Sequence, residues 1–352
     1  MTLTTEEIIL NAERKVRLTV MLQSVGGEFQ AIQKRPAVLI LPGGGYLMCS
    51  DREAEVVAYP FLQAGYHAFV LRYSVGQNKD WPNPLEDYEQ TMELLLEKSE
   101  EWHVLTDKIA VIGFSAGGHL AACAATMAKY RPNAAILGYA ALEQDIVSAC
   151  QPDMDIPVPV DSVDDKTPPC FLFAARDDMT VPVHNTLRFE MKLEEHGIQF
   201  ESHIYAYGGH GYGTGIEVIA GLEISCRIGN WVQDAIGWLE DIFGKLSLQG
   251  MGKPTCPRKM GDFEDRLSVR CSYGYLKRQP DAEEALKDGA VLIENYINEA
   301  LNGTKGGRYI VESAAIQEML LTVGYSAERL IKLEEILQKI PNVRNGFFRD
   351  ET

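Results

Sequence analysis

The stretch that most constrains this chain is residues 108–129, KIAVIGFSAGGHLAACAATMAK. Residues 109–112 form a short apolar run that is typical of a buried strand. A turn with Ser115 between Gly113 and Gly117 follows, and small or apolar helix formers come next. In so tight a turn, a side chain two residues before or after the serine would strike the backbone. The stretch therefore predicts a strand, a nucleophile elbow that presents the Ser115 hydroxyl, and a helix.

The rest of the chain predicts the sheet in which such a turn would lie. Further apolar runs predict strands at residues 16–22, 37–41, 67–73, 134–139, 170–174 and 200–205. Amphipathic stretches between them predict helices, with others at residues 5–13 and 218–243. Alternating strands and helices predict an α/β fold with a doubly wound, mostly parallel sheet. In such sheets ligands bind beyond the carboxyl ends of the strands, where every motif of interest here is found.

A serine hydroxyl needs a base near neutral pH, and the base needs a carboxylate to orient it. Asp177 and Asp178 follow the strand at 170–174, and His210 lies among glycines after the strand at 200–205. Either aspartate could be the acid, and the other would be a solvated loop charge. An ordinary glycine-rich turn with a capping serine stays the alternative for the elbow.

The loop Pro42–Gly43–Gly44–Gly45–Tyr46 follows a buried strand and lacks the spacing and lysine of a phosphate loop. Its backbone N–H groups could meet an oxyanion, although a plain flexible loop is the alternative. We expect the donors to be the N–H of Ala116 together with one or two N–H groups of the Gly43–Gly45 loop, above all those of Gly44 or Gly45. His119, one helical turn past the serine, is expected to pack or hydrogen-bond beneath the elbow.

With these motifs in place, the sequence resembles the α/β-hydrolase fold. It is similar in particular to the small acetyl-esterase and carboxylesterase branch, related to acetyl xylan esterases and hormone-sensitive-lipase-like esterases. The resemblance covers roughly residues 16–243 in the family's order. It rests on LPGGGY (41–46), SDREAE (50–55), AGYHAFVLRYSVG (64–76), WPNPLED (81–87), DKIAVIGFSAGGHLAA (107–122), RPNAAILGY (131–139), TPP (167–169), DDMTVPV (177–183) and YGGHGYG (207–213).

The resemblance implies a nucleophile at Ser115, a histidine at His210, and an acid at Asp178, the aspartate separated by two residues from a Val-Pro pair. It implies hydrolysis of short acyl esters, often acetyl groups on carbohydrates, with no metal or organic cofactor. Two features depart from the family. Pro42 stands where many relatives have histidine, and the segment 141–167 looks short. A reduced cover there would leave the alcohol side of the site open.

Composition excludes several other classes of function. The net charge of −17 falls almost entirely before residue 251, which argues against a nucleic-acid or anionic-membrane partner. We see no signal peptide and no apolar run of membrane length. Seven scattered cysteines without CxxC spacing indicate reduced thiols, so we expect a cytoplasmic protein.

The pattern changes near residue 250, so we predict a catalytic domain at 1–248 and a helical C-terminal appendage at 249–352. Its predicted helices are 281–301, with Asp281 as N-cap, 309–323 and 327–340. The appendage is expected to pack, to cover the cleft or to form a homo-oligomer interface. Two rival functions remain open, namely a thioesterase or peptidase with the same triad and a non-catalytic binding protein.

Overall fold

The computed structural model describes residues 2–28, 30–150, 156–216 and 227–343. The chain divides into two compact units, Met1–Cys256 and Pro257–Thr352. The first is built around two clusters of buried apolar side chains, and the second has a cluster of its own. The separate roles predicted for the two parts of the chain stay predictions.

Within the described ranges, the first unit has one eight-stranded sheet in the order β1-β2-β4-β3-β5-β6-β7-β8. The β1–β2 and β2–β4 pairs are antiparallel, and the five pairs from β3–β4 to β7–β8 are parallel. The predicted mostly parallel sheet is therefore confirmed. The strands are β1 Leu3–Asn11, β2 Val16–Gln23, β3 Arg35–Leu41, β4 His67–Arg72, β5 Val104–Phe114, β6 Ala134–Gly138, β7 Cys170–Ala175 and β8 Phe200–Tyr205.

Helices cover both faces of this sheet, which explains why its central strands are apolar throughout. On β3, Leu39 joins one core cluster and Ile40 joins the other, because successive side chains point to opposite faces. The α-helices in the described part of the unit are α1 Glu55–Gln63, α2 Asn83–Glu97, α3 Ser115–Met127, α4 Gln144–Cys150, α5 His184–Glu195 and α6 Trp231–Phe243. Side chains of α2, α3 and α5 lie in the first cluster, and those of α1 and α6 lie in the second.

Two predictions in this unit need correction or restriction. The helix predicted at residues 5–13 is wrong, because β1 occupies that stretch and pairs with β2 from Leu3 to Asn11. Its side chains are mostly exposed, so the pairing of backbone groups at the sheet edge outweighs the helical pattern. For the helix predicted at 218–243, residues 218–226 lie outside the described ranges, and the rest contains a 3-10 turn, Ile228–Asn230, followed by α6.

The second unit is helical, as predicted, but its helices begin and end differently. Asp281 does not cap a helix: a 3-10 turn, Pro280–Ala282, precedes the long helix and supplies Ala282 as its N-cap. The helix predicted at 309–323 is divided by extended backbone at Ala314. Its helices are α7 Tyr273–Leu276, α8 Glu283–Glu299, α9 Lys305–Ser313, α10 Ile316–Thr322 and α11 Ala327–Leu337. Among the described residues, none of the helices in the chain has the length and apolar character that crossing a bilayer requires.

Candidate active site

The turn between β5 and α3 has the strained geometry that the sequence predicts. Ser115 is the first residue of α3 and has a φ of 52°. This value lies in the left-handed region of backbone conformation, which residues other than glycine rarely adopt. A Cβ placed on Gly113 would lie 2.2 Å from the carbonyl oxygen of Gly117. A Cβ placed on Gly117 would lie 2.1 Å from the carbonyl oxygen of Leu41. Both glycines are therefore required by the close approach of backbone atoms.

The structure brings the three predicted side chains into one hydrogen-bonded line. The Ser115 Oγ lies 2.9 Å from Nε2 of His210, and Nδ1 of the same imidazole lies 2.6 Å from Oδ2 of Asp178. Asp178 is only 2% exposed, and its other oxygen accepts hydrogen bonds from the N–H groups of Thr180 and Val181. With the carboxylate accepting from Nδ1–H, Nε2 carries the lone pair that faces the serine hydroxyl.

Asp177 is more than the solvated loop charge that the sequence suggested. Its Oδ1 accepts hydrogen bonds from the N–H groups of Gly208 and Gly209, at 2.9 Å each. These glycines immediately precede His210, so the first aspartate of the pair holds the histidine loop and the second orients the imidazole. No local pattern signalled this contact, because the two glycines lie 31 and 32 residues after Asp177 in the chain.

The glycine loop lies directly beside the serine. A Cβ placed on Gly43 would lie 3.2 Å from the Cβ of Ser115. The N–H of Gly43 donates to Oε2 of Glu53 at 2.9 Å, so this amide is engaged within the protein. Gly44 and Gly45 have φ values of 128° and 63°, which residues with side chains adopt only under strain. Their role as oxyanion donors stays a prediction.

Ala116, the third predicted donor, follows the serine in the first turn of α3. Backbone N–H groups in a first helical turn have no carbonyl four residues earlier in the helix to bind. The positive end of the helix dipole adds to the attraction of an anion at this position. The geometry is compatible with an oxyanion site, and the role of Ala116 stays a prediction.

His119 is a buried hydrogen-bonding residue beneath the elbow, which was the favoured interpretation of the sequence. Its Nδ1 accepts from the hydroxyl of Tyr46 at 2.7 Å, and its Nε2 donates to the carbonyl oxygen of Pro157 at 2.9 Å. The imidazole thus connects Tyr46, at the end of the glycine loop, to Pro157, in the segment after α4, through two hydrogen bonds. Only 1% of the His119 surface is exposed, and this burial lowers the pKa of its imidazole to about 4.

This lowered pKa predicts an acid-sensitive contribution to stability. The unfolded chain binds a proton at this imidazole below about pH 6.5, whereas the folded protein binds it only near pH 4, so stability falls as the pH drops through that window. Between pH 7 and 4.5, we expect the wild type to lose about 2 kcal/mol more unfolding free energy than His119→Gln. Urea denaturation at both pH values measures the difference. Burial also lowers the pKa of His67 to about 4, but this residue contributes the same loss in both proteins. Equal losses in the two proteins would therefore contradict the prediction for His119.

One group of side chains in the described ranges could in principle hold a metal ion. Ligand atoms of Glu143, Asp145 and His184 lie within 4.8 Å of one another. The buried Glu143 carboxylate is already paired with Arg188, whose Nη1 lies 2.9 Å from Oε2. These residues line a cavity together with Gln144, Asp161 and two valines of the segment 156–163. We interpret the group as an ion-pair network.

Comparison with known proteins identifies the family to which this site belongs. The family model described as BD-FAE matches residues 29–153. A solved α/β-hydrolase enzyme from a Medee basin deep-sea metagenome library is 41% identical, with a TM-score of 0.63, over 68% of this chain and 97% of that one. The chain therefore belongs to the α/β-hydrolase family, as its sequence resemblance implied.

Two curated relatives match shorter shares of their own length. The acetylxylan esterase of Xylanibacter ruminicola is 28% identical over an alignment of 264 positions that covers 68% of this chain and 52% of that protein. The endo-1,4-beta-xylanase B of Butyrivibrio fibrisolvens is 30% identical over an alignment of 208 positions that covers 51% of this chain and 32% of that protein. The chain thus spans between about a third and about half of the length of the curated relatives that it matches.

Proposed function

We propose that the first unit is a serine carboxylesterase for short-chain acyl esters, above all acetyl esters on carbohydrates. The observation that carries the proposal is the hydrogen-bonded line from Ser115 through His210 to Asp178. The carboxyl ends of the parallel strands, where these residues lie, are the usual ligand site of such sheets. Relatives named as acetylxylan esterase and xylanase support a carbohydrate ester as the substrate.

The proposed reaction begins when the Ser115 Oγ attacks the ester carbonyl carbon and His210 Nε2 takes its proton. Negative charge then forms on the carbonyl oxygen, where the N–H groups of Ala116 and of Gly44 or Gly45 would donate to it. The imidazolium returns the proton to the leaving alcohol as the carbon–oxygen bond breaks, which leaves an acyl-serine. Water, deprotonated by the same imidazole, attacks that ester and releases the acid and the free serine.

The rival functions differ in what the same residues would do. A thioesterase or peptidase would use the same triad on a different leaving group. A non-catalytic binding protein would keep the fold without needing a strained serine in line with an imidazole. The φ of 52° at Ser115 favours catalysis, because backbone strain of this kind is concentrated at functional sites.

A panel of esters tests the proposed function and its substrate class. We expect kcat/KM to fall at least tenfold from p-nitrophenyl acetate to the octanoate, yet to vary little among acetates of small alcohols and acetylated xylose. The weak dependence on the alcohol is expected because the short segment 141–167 would leave the alcohol side of the site open. Matched thioesters and aminoacyl anilides should react more slowly. A preference for long acyl chains, or for small alcohols only, would defeat this proposal.

For the second unit we propose a packing or self-association role. Large apolar side chains on its helices are more than half exposed, among them Tyr309, Ile310 and Ile331. Exposed apolar groups of this kind suit a contact between copies of the chain. We also propose a cytoplasmic location, on the composition and cysteine pattern described above.

A further inference from the structure

We infer that Glu53 is a positioning residue that holds the glycine loop and the histidine loop in place beside Ser115. The inference rests on the proposed function, because it assigns a role in the same reaction. Glu53 ends a short 3-10 turn, Asp51–Glu53, just before α1. It is 4% exposed, although the turn that carries it is on the surface. A carboxylate buried in this way needs partners that offset its lost hydration.

Both oxygens of the Glu53 side chain have such partners. Oε2 accepts the N–H of Gly43 at 2.9 Å, and Oε1 accepts the hydroxyl of Tyr139 at 2.5 Å. Gly43 is the loop residue whose added Cβ would lie 3.2 Å from the Cβ of Ser115. The first bond therefore fixes the backbone at the point where the glycine loop passes the serine.

The second bond leads to the histidine. The Tyr139 hydroxyl accepts the N–H of Gly213 at 3.0 Å, and its ring centroid lies 5.0 Å from that of His210. The carbonyl oxygen of Gly213 accepts from the indole of Trp231 at 2.9 Å, so this residue is held on both sides. One buried line of hydrogen bonds thus runs from Gly43 through Glu53 and Tyr139 to the loop that carries His210.

The direction of these hydrogen bonds favours an acid at position 53. Gly43 offers a donor, and the Tyr139 hydroxyl, which accepts from Gly213, has its one hydrogen left to donate to Glu53. A carboxylate accepts both donors, whereas a glutamine side chain would turn its NH₂ group toward one of them. Burial raises the pKa of Glu53, and the hydrogen bonds from Tyr139 and Gly43 oppose that rise.

The test separates positioning from simple stabilisation. We expect Glu53→Gln to lower kcat for p-nitrophenyl acetate about 10- to 100-fold with KM changed less than threefold, since small misplacements in an active site have costs of this size. Tyr139→Phe, which removes only the hydroxyl, should lower kcat about tenfold. The double variant should lose less than the product of the two losses, because both changes break one line of hydrogen bonds.

The matched control is Glu55→Gln, which changes a nearby carboxylate that pairs with Arg72 and Thr19. It should retain kcat within threefold. Melting temperatures of all variants identify any loss that comes from unfolding. A Glu53→Gln protein that melts early but keeps its kcat, or single losses that multiply in the double variant, would overturn the inference.

A second readout keeps this inference apart from the proposed function. The rate at which a fluorophosphonate modifies Ser115 depends on the same loops, whatever the natural substrate is. If the wild type is labelled but hydrolyses no ester, the esterase proposal fails, and a 10-fold slower labelling of Glu53→Gln still supports the role of Glu53. If the wild type hydrolyses esters and Glu53→Gln is labelled and turns over normally, only the inference about Glu53 fails.

Discussion

The Ser115→Ala protein should hydrolyse p-nitrophenyl acetate about 10⁴- to 10⁶-fold more slowly than the wild type, the range that removal of a triad nucleophile produces. The substitution deletes the atom that forms the acyl bond in the proposed reaction, the Oγ that lies 2.9 Å from Nε2 of His210. KM should change little, because the hydroxyl contributes to the transition state rather than to ground-state binding. Steady-state kinetics with freshly purified protein measures both constants.

Ser24→Ala supplies the matched control, since Ser24 lies in a loop after β2 and accepts the N–H of Thr2. It should keep full activity. Mass spectrometry after fluorophosphonate treatment should locate one adduct on Ser115 in the wild type and in Ser24→Ala, and none at that position in Ser115→Ala. An alanine variant that retained more than about a tenth of the wild-type rate would rule out the covalent mechanism.

The elbow could be predicted because its serine and glycines stand together in the sequence as GFSAGG. A Cβ at Gly113 would meet the nearby Gly117, although a Cβ at Gly117 would meet Leu41 on the neighbouring strand. His210 was recognisable because glycines on both sides place it outside any core. Choosing Asp178 over Asp177 needed the family resemblance, since the two aspartates are equivalent in local pattern.

Other features could not be predicted because their causes are distant in sequence. Glu53 accepts from Gly43, ten residues earlier, and from Tyr139, 86 residues later, and only the folded sheet brings the three together. The strand β1 was predicted as a helix because its period is ambiguous and its partner, β2, decides the outcome. Local patterns thus point to the proposed reacting groups more readily than to the residues that hold them in place.

Asp178→Asn should lower kcat/KM about 10⁴-fold, the loss found when the acid of a triad becomes an amide. The structure gives the reason. Oδ1 is held by the N–H groups of Thr180 and Val181, so the new NH₂ group must take the place of Oδ2 and face His210. The imidazole then accepts at Nδ1 and carries its proton on Nε2, where it cannot receive the proton of Ser115. Kinetics at a fixed pH near 7 measures the loss.

Asp177→Asn is a close control, because it makes the same chemical change one residue away. Its Oδ1 still accepts from Gly208 and Gly209, so the histidine loop keeps both hydrogen bonds and activity should stay within about fivefold of the wild type. The contrast between the neighbours isolates the tautomer of His210 as the cause of the loss. Equal losses in both variants would mean that loop geometry, rather than proton placement, governs the rate, and would remove Asp178 from its proposed role.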